Sequence, residues 1–340
     1  MTKKIVLGFS GGADSTAAAL LLRENHYVVT AVTLDFTGDA ELLDMAARKA
    51  ECLGIAHRVV DVRRSFEDRV VTPFIEAYRR GETPNPCLVC DTQVKLVALA
   101  EAADALGIDR IATGHYLRVE KGEEGIRVLK SPAVRKDQSY YFYRMPQAIL
   151  RRLVVPLADF EDKAAVLAFL EEAGHPFVKG EESQGICFVN GDRGAFLRAR
   201  LDLPQGVFVD TAGRILGSHD GFYHFTLGQF RGINLDQKYY VVGLDPVGNR
   251  VILGQEAELY KKRISLREVS FLDGGIPQGP LPVTFRICRW GYELRGIYLP
   301  LSKDSGYIEA EAAVRAPTPG QAAVFYRGDE LLGGGTICGA

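Results

Sequence analysis

Short apolar runs alternate with amphipathic stretches along the first half of the chain. The run KIVLGF at 4–9 is rich in strand formers, and the stretch ADSTAAALLLRE, which follows a glycine turn, has helical periodicity. The alternation continues with apolar runs at 27–36, 57–63 and 110–116 and with helical patterns at 39–55, 66–81 and 94–106. Strands that alternate with helices predict an α/β fold with a parallel, doubly wound sheet.

The pattern changes in the second half of the chain. Helical patterns continue at 147–153 and 161–173, but beyond residue 203 short strands with Gly, Asp and Pro turns replace them. The stretches DTAG and DPVGN are typical of hairpin turns. We therefore predict an α/β domain at 1–203, a small central β-rich domain at 204–262 and a C-terminal β-barrel domain at 263–340.

Composition narrows the class of protein. The 340 residues are 47% apolar and 25% charged, which is the ordinary balance of a globular protein, and no apolar run approaches the length of a membrane span. We therefore expect a cytoplasmic protein with no membrane partner. The net charge of −2 argues against a general nucleic-acid coat and against a DNA partner, but it leaves room for a local basic face. Six cysteines are too few for a disulfide scaffold, and in a reducing compartment clustered thiols indicate metal binding or catalysis.

The stretch FSGGADST lies between the first predicted strand and the first predicted helix. A glycine turn that leads into a helix N-terminus presents backbone N–H groups to an anion. The glycine spacing matches neither a Walker loop nor a dinucleotide fingerprint. It matches SGGxDS, the pyrophosphatase loop of enzymes that cleave ATP to AMP and pyrophosphate. We predict ATP binding here, with Asp14 orienting the loop or helping to hold Mg²⁺; the predicted loop residues are Gly8, Phe9, Ser10, Gly11, Gly12, Ala13, Asp14 and Ser15.

The stretch PNPCLVCD, which begins at Pro84, places two thiols three positions apart. Pro84 and Pro86 predict a rigid loop rather than a regular helix. Metal binding, disulfide formation and nucleophilic chemistry are all open for these thiols. A structural zinc site is disfavoured, because zinc requires four ligands and the sequence has no second CxxC and no HxxxH.

Seven segments together resemble one known family. They are SGGADS, GETPNPCLVCDTQVK, ATGHYLRV, KDQSYYF, ESQGICFV, YVVGLD and APTPGQAAVFYRGDELLGGG. In this order they resemble the bacterial tRNA-specific 2-thiouridylases, the MnmA family, nearly end to end. The resemblance implies a PP-loop α/β domain, a central domain and a C-terminal β-barrel. It also implies an enzyme that uses ATP to replace the 2-oxygen of the wobble uridine in tRNA with sulfur supplied by a persulfide carrier protein.

The resemblance assigns roles to three cysteines. Cys187 matches the cysteine that carries the persulfide, and Cys90 matches the cysteine that assists sulfur release and leaves a Cys90–Cys187 disulfide. Both roles need a thiolate, so we expect lowered pKa values. Cys87, Cys90 and Cys187 together are also a ligand set for a [4Fe–4S] cluster whose open iron would carry sulfide. The sequence leaves the persulfide relay and the cluster as alternatives.

The remaining matches concern the nucleotide and the RNA. Leu34 and Gly114 match positions beside the nucleotide. The positions that match contacts with the target base or the tRNA are Asn85, Pro86, Cys87, His115, Lys136, Asp137, Gln138, Arg286 and Gln321. Asp91 stands where the family usually has Asn, Glu182 where it has Asp, Phe230 where it has a basic residue, and Ile287 where it has Tyr. Two alternatives therefore remain: a paralogue that uses the same chemistry on another RNA or a small molecule, and a non-catalytic ATP-binding RNA module. The paired thiols speak against the module.

Overall fold

The structure is a computed structural model that describes residues 3–123, 125–175, 185–189, 191–201 and 203–339. The helices are α1 (Ala13–Glu24), α2 (Ala40–Cys52), α3 (Arg63–Phe66), α4 (Thr72–Arg79), α5 (Pro86–Cys90), α6 (Leu96–Ala105), α7 (Gln147–Leu150), α8 (Lys163–Glu172) and α9 (Arg193–Leu201). The π-helical segments Glu67–Val71 and Asp91–Lys95 join α3 to α4 and α5 to α6, and short 3₁₀ helices lie at Ser139–Phe142, Phe222–His224 and Glu256–Leu259.

The strands fall into three sheets. They are β1 (Lys3–Gly8), β2 (Tyr27–Asp35), β3 (Ala56–Asp61), β4 (Ile111–Ala112), β5 (Arg118–Lys121), β6 (Ile126–Leu129), β7 (Leu153–Val154), β8 (Gly206–Asp210), β9 (Ile215–His219), β10 (Tyr240–Asp245), β11 (Arg250–Gly254), β12 (Tyr260–Phe271), β13 (Leu281–Arg286), β14 (Leu294–Pro300), β15 (Ser305–Arg315), β16 (Ala322–Arg327) and β17 (Glu330–Ile337).

The N-terminal sheet is parallel, with strand order β3-β2-β1-β4-β7. Helices cover both of its faces: Val6 of β1 packs with α6, and Ile5 and Leu7 pack with α1 and α2. Burial on both faces explains why β1 is continuously apolar rather than alternating. The predicted α/β fold is confirmed. The predicted strand at 110–116 is only two residues long, because the chain leaves the sheet at Thr113 toward the glycine loop.

The second half of the chain is built from sheets, as predicted. Strands β8 to β11 form a four-stranded central sheet in the order β10-β11-β8-β9. Strands β12 to β17 close into an antiparallel barrel, because β12 pairs with both β15 and β17. The hairpin β5–β6 joins the barrel sheet through β17, where Val128 pairs with Leu331. No described helix is long and apolar enough to cross a membrane.

Candidate active site

The glycine loop lies at the carboxyl end of β1, the edge where parallel α/β sheets bind ligands. Gly11 has φ +75°, and a Cβ there would lie 3.0 Å from the Cα atom of Ala46 in α2, so the turn requires glycine. Gly12 is the N-cap of α1 and has no side chain to cap the first helical turn. The hydroxyls of Ser10 and Ser15 lie 3.3 Å apart, and the Ser15 hydroxyl donates to the Gly12 carbonyl at 3.0 Å. The loop thus presents a helix N-terminus and two hydroxyls to one point, which suits a phosphate group.

Asp14 is held by two partners from other parts of the chain. Its Oδ1 accepts hydrogen bonds from the Tyr116 hydroxyl at 2.6 Å and from Lys163 Nζ at 2.7 Å. A Cβ at Gly114 would lie 3.0 Å from the Asp14 backbone, so this glycine allows the chain beyond β4 to approach the loop. Of the two roles foreseen for Asp14, orientation of the loop is the one that these contacts support. Sequence analysis missed Tyr116 and Lys163, because nothing in their local patterns links them to Asp14.

The predicted nonhelical loop at Pro84 is wrong, because α5 begins at Pro86 and contains both cysteines. Proline is tolerated at the first helical position, where no N–H partner is needed and its φ already suits a helix. Asn85 is the N-cap, and its Oδ1 accepts from the Cys87 amide at 3.2 Å. Because residues three apart share a helix face, Cys87 and Cys90 lie on one side of α5. Cys87 is exposed and Cys90 is buried.

The approach to α5 is clamped by the other two domains. The Thr83 amide donates to the Pro319 carbonyl at 2.8 Å, and Gln321 Nε2 donates to the Thr83 carbonyl at 2.5 Å. From the central domain, the Thr226 hydroxyl lies 3.5 Å from the Thr83 hydroxyl. The barrel and the central domain therefore fix the position of α5, which carries Cys87 and Cys90 and is called the thiol helix below. For Gln321, the structure supplies a protein partner, and its contact with tRNA stays a prediction.

The turn that bears Cys187 is anchored by the residue that follows it. The Phe188 ring packs edge-on against Phe66 at 5.6 Å and against Phe74 at 5.2 Å between ring centroids. Phe188 also packs on the apolar cluster that contains Cys90. This aromatic contact brings Cys187 and Cys90 to the same part of the molecule, and both remain free thiols. Of the matched segment ESQGICFV, Glu182 lies outside the described residues.

The expectation of lowered thiol pKa values is wrong for this conformation. Burial raises the pKa of Cys90 to about 12, with Lys95 opposing the rise and Asp91 adding to it. Desolvation by surrounding protein atoms raises the pKa of Cys187 as well, although its side chain keeps contact with solvent, and Lys95 again opposes the rise. Both thiols are therefore protonated near neutral pH.

A buried acid links the thiol helix to the chain beyond β4. Asp91 forms an ion pair with Lys95, and its Oδ1 lies 3.4 Å from His115 Nε2. Burial alone would raise the pKa of Asp91, but Lys95 and His115 outweigh it and hold the pKa well below its usual range. The other ring nitrogen of His115 lies 2.8 Å from the Thr113 hydroxyl. His115 and Asp91 are both buried, so His115 contacts RNA only if binding exposes it.

Asp137 and Arg286 form a second buried pair, between the first domain and the barrel. The Arg286 Nη1 atom donates to Asp137 Oδ2 at 2.7 Å, and Arg286 Nη2 donates to Glu293 at 2.9 Å. Asp137 also accepts from the amides of Ser131 and Ser139 at 3.0 and 3.2 Å. These side chains are 3% and 8% exposed, so they hold the two domains together rather than face a ligand. Contact of either side chain with tRNA requires a rearrangement.

The other predicted contact positions lie around this core. Gln138 exchanges hydrogen bonds with the Tyr116 backbone, its Oε1 accepting from the amide at 2.9 Å, and so connects to Asp14 through Tyr116. Lys136 is half-buried, and its carbonyl accepts from Arg289 at 3.3 Å. Leu34, near the carboxyl end of β2, is partly buried against the cluster that contains Cys90. Pro86 is buried at the start of α5.

The metal-binding alternative requires three or more His, Cys, Asp or Glu side chains to lie close together. Within the described ranges, no three His, Cys, Asp or Glu side chains come together in a way that could hold a metal ion. Cys87, Cys90 and Cys187 therefore do not form a ready ligand set for an iron–sulfur cluster in this conformation. Desolvation raises the pKa of all three thiols, so they are protonated rather than ionised near neutral pH.

Comparison with known proteins gives the family. Three family models match successive parts of the chain: "tRNA methyl transferase HUP domain" at 3–191, "tRNA methyl transferase PRC-barrel domain" at 194–255 and "Aminomethyltransferase beta-barrel domain" at 261–337. A tRNA-specific 2-thiouridylase MnmA from Syntrophomonas wolfei is 37% identical over 98% of this chain and 99% of its own. The chain belongs to the MnmA family. MnmA proteins from Acidithiobacillus ferrooxidans and Moorella thermoacetica are each 39% identical over 98% or more of both chains.

Likeness among solved structures is weaker. A predicted subunit of tRNA methyltransferase from Methanocaldococcus jannaschii covers 59% of this chain and 87% of its own at 20% identity, with a TM-score of 0.36. A likeness at this level carries no argument about the site. The family assignment rests on the full-length MnmA relatives.

Proposed function

We propose that this protein is an ATP-dependent tRNA 2-thiouridylase that replaces the C2 oxygen of the wobble uridine with sulfur. The observation that carries the proposal is the proximity of a pyrophosphatase-type glycine loop to a site with free thiols on two separate segments. The segment that leaves β4 joins them: Tyr116 bonds to Asp14 of the loop, and His115 contacts Asp91, the residue after Cys90. An enzyme that activates an oxygen with ATP and then displaces it with sulfur needs these two sites side by side.

Activation takes place at the glycine loop. The uracil C2 oxygen attacks the α-phosphorus of ATP, pyrophosphate leaves, and the base becomes an AMP ester at C2. The N-terminus of α1 and the Ser10 and Ser15 hydroxyls would hold the phosphates, and Mg²⁺ would enter with ATP as part of the substrate. Asp14, fixed by Tyr116 and Lys163, orients the loop. The target base must leave its stack to reach the site, which costs little in an anticodon loop.

Sulfur transfer takes place at the thiols. The terminal sulfur of a Cys187 persulfide attacks C2, and AMP leaves with the former oxygen. Cys90, as thiolate, then attacks the Cys187 sulfur, which forms a Cys90–Cys187 disulfide and releases the 2-thiocarbonyl. A thiol reductant supplies the two electrons that reopen the disulfide, and a persulfide donor reloads Cys187. The raised pKa of Cys90 implies that its proton is lost only after substrates bind.

The free thiols favour 2-thiouridylation over methyl transfer. Two matched family models are described as tRNA methyl transferase domains, whereas the full-length relatives are described as 2-thiouridylases. Methyl transfer has no need of two thiols that converge beside an ATP loop. The persulfide relay needs no iron–sulfur cluster, and the described side chains are not arranged to hold one.

Reconstitution tests the proposal. The protein is incubated with MgATP, a persulfide donor and an unmodified tRNA transcript that has uridine at the wobble position, and nucleosides are analysed by mass spectrometry. We expect 2-thiouridine and one pyrophosphate per thiolated base. A transcript with cytidine at that position is the matched control and should remain unmodified. Absence of 2-thiouridine with every component present, while pyrophosphate is released with another acceptor, would favour a paralogue with a different substrate.

A further inference from the structure

Two exposed aromatic side chains lie on the barrel loop between β13 and β14. Trp290 is 68% exposed and Tyr292 is 90% exposed. Burial of an aromatic side chain is among the most favourable contributions to folding, so a solvent-facing pair beside a candidate active site indicates an interaction surface.

Arg289 gives this surface a fixed cation. Its guanidinium lies 4.2 Å from the centre of the Trp290 ring. Its Nη2 donates to the Lys136 carbonyl at 3.3 Å and its Nε donates to the Asp137 carbonyl at 3.5 Å. Because both carbonyls belong to the first domain, the guanidinium is held across the junction between that domain and the barrel. It supports the indole from one side, while most of the indole remains exposed.

The same guanidinium connects the surface to the thiols. It lies 5.5 Å from the Tyr141 ring, in the 3₁₀ helix Ser139–Phe142 that packs against α5. Its charge also acts on the Cys87 thiol. Arg289 therefore lies between Trp290 and the part of the molecule that carries Cys87.

We propose that Trp290, supported by Arg289 and extended by Tyr292, is a stacking platform for an unpaired RNA base next to the one that is thiolated. This inference rests on the proposed function and names how its substrate is held. When a base leaves the stack, its neighbours lose a stacking partner, and an exposed aromatic ring replaces that partner whatever the base is. The guanidinium adds attraction for the phosphates and for the stacked base. The position of the patch beside the proposed reaction site favours RNA as its occupant, because aromatic rings stack on unpaired bases and the guanidinium attracts phosphates.

Intrinsic fluorescence tests the platform directly, since Trp290 is the only tryptophan in the chain. The full-length protein is titrated with an anticodon stem-loop RNA with uridine at the wobble position, and affinity is measured separately by filter binding. We expect saturable quenching of the tryptophan signal. We expect Trp290→Ala to weaken RNA binding by about 5- to 100-fold. Trp290→Phe should retain most of the wild-type affinity. The matched control is Tyr307, whose ring lies 4.2 Å from the Arg263 guanidinium on the β12–β15 pair; Tyr307→Ala should leave the affinity unchanged.

The outcomes separate this inference from the function beneath it. Quenching by the stem-loop but not by an RNA duplex of equal length, together with the loss in Trp290→Ala, supports the platform. If the wild-type protein binds and thiolates RNA while its fluorescence stays constant, or if Trp290→Ala binds as well as wild type, the platform is refuted and the function stands. Equal quenching by the duplex also refutes stacking on an unpaired base. A wild-type protein that neither binds nor thiolates RNA refutes both.

Discussion

Removal of the Arg286 guanidinium should destabilise the junction between the first domain and the barrel. In Arg286→Met the Asp137 carboxylate stays buried without its 2.7 Å cation partner, and breaking a buried pair from one side costs about 3–5 kcal/mol. We expect the lower end, about 3 kcal/mol, because Asp137 keeps hydrogen bonds from the Ser131 and Ser139 amides. The double variant Asp137→Asn/Arg286→Met should recover part of this loss, since it no longer buries an uncompensated charge.

The assay is urea unfolding followed by circular dichroism and by Trp290 fluorescence, which reports on the barrel. The matched control is Arg127→Met, which breaks an exposed pair with Glu330, at 2.9 Å between hairpin β5–β6 and the barrel, and should cost about 1 kcal/mol or less. A loss in Arg286→Met no larger than in this control would refute the assignment of a structural role. If such a variant were stable but bound tRNA poorly, Arg286 would be an RNA contact after all.

Three further predictions concern the chemistry. Ser10→Ala and Asp14→Ala should abolish tRNA-dependent pyrophosphate release while circular dichroism stays unchanged, because the exposed Ser10 hydroxyl would hold phosphate and Asp14 orients the loop through Tyr116 and Lys163; wild-type release rates would contradict the site. Cys90→Ser and Cys187→Ser should each stop formation of 2-thiouridine but retain pyrophosphate release, and loss of both activities would show that the two steps share residues. Asp91→Asn should lower the pKa of Cys90, because Asp91 adds to the rise and Lys95 opposes it, so iodoacetamide should alkylate Cys90 faster at a fixed pH below that pKa. An alkylation rate unchanged by Asp91→Asn would show that burial alone sets the reactivity of this thiol.

Much of the first domain followed from local pattern. The β1 run is apolar because helices cover both faces of the sheet, and its position before a glycine turn and a helix with good formers is visible without any structure. The glycine loop was also predictable from the sequence, because only glycine readily adopts the φ of +75° that Gly11 has beside α2. The hairpin β5–β6 was not foreseen, because its short strands are stabilised by pairing with β17, about 200 residues away in sequence.

The thiol helix shows why a correct rule gave a wrong prediction. Proline disfavours a helix interior, but the same residue is favoured at the first helical position, and the decision depends on where the helix begins. Asn85 as N-cap and Pro86 after it were a start signal, which the paired prolines obscured. The pKa values of the thiols were equally out of reach, because they depend on how many protein atoms surround each sulfur and on where Asp91 and Lys95 lie in space.

The sequence by itself indicated the class of chemistry and the succession along the chain of an α/β part followed by β-rich parts. Glycine turns, thiols and apolar periodicity are local properties of the chain, so they can be recognised without a structure. Only the tertiary structure decided which side chains meet. It joined Asp14 to Tyr116 and Lys163, placed Phe188 on the cluster of Cys90, and buried Asp137 with Arg286 at a domain junction. These contacts connect residues tens to hundreds of positions apart. Their energies come from burial and from charge pairing in three dimensions, and no local pattern records them.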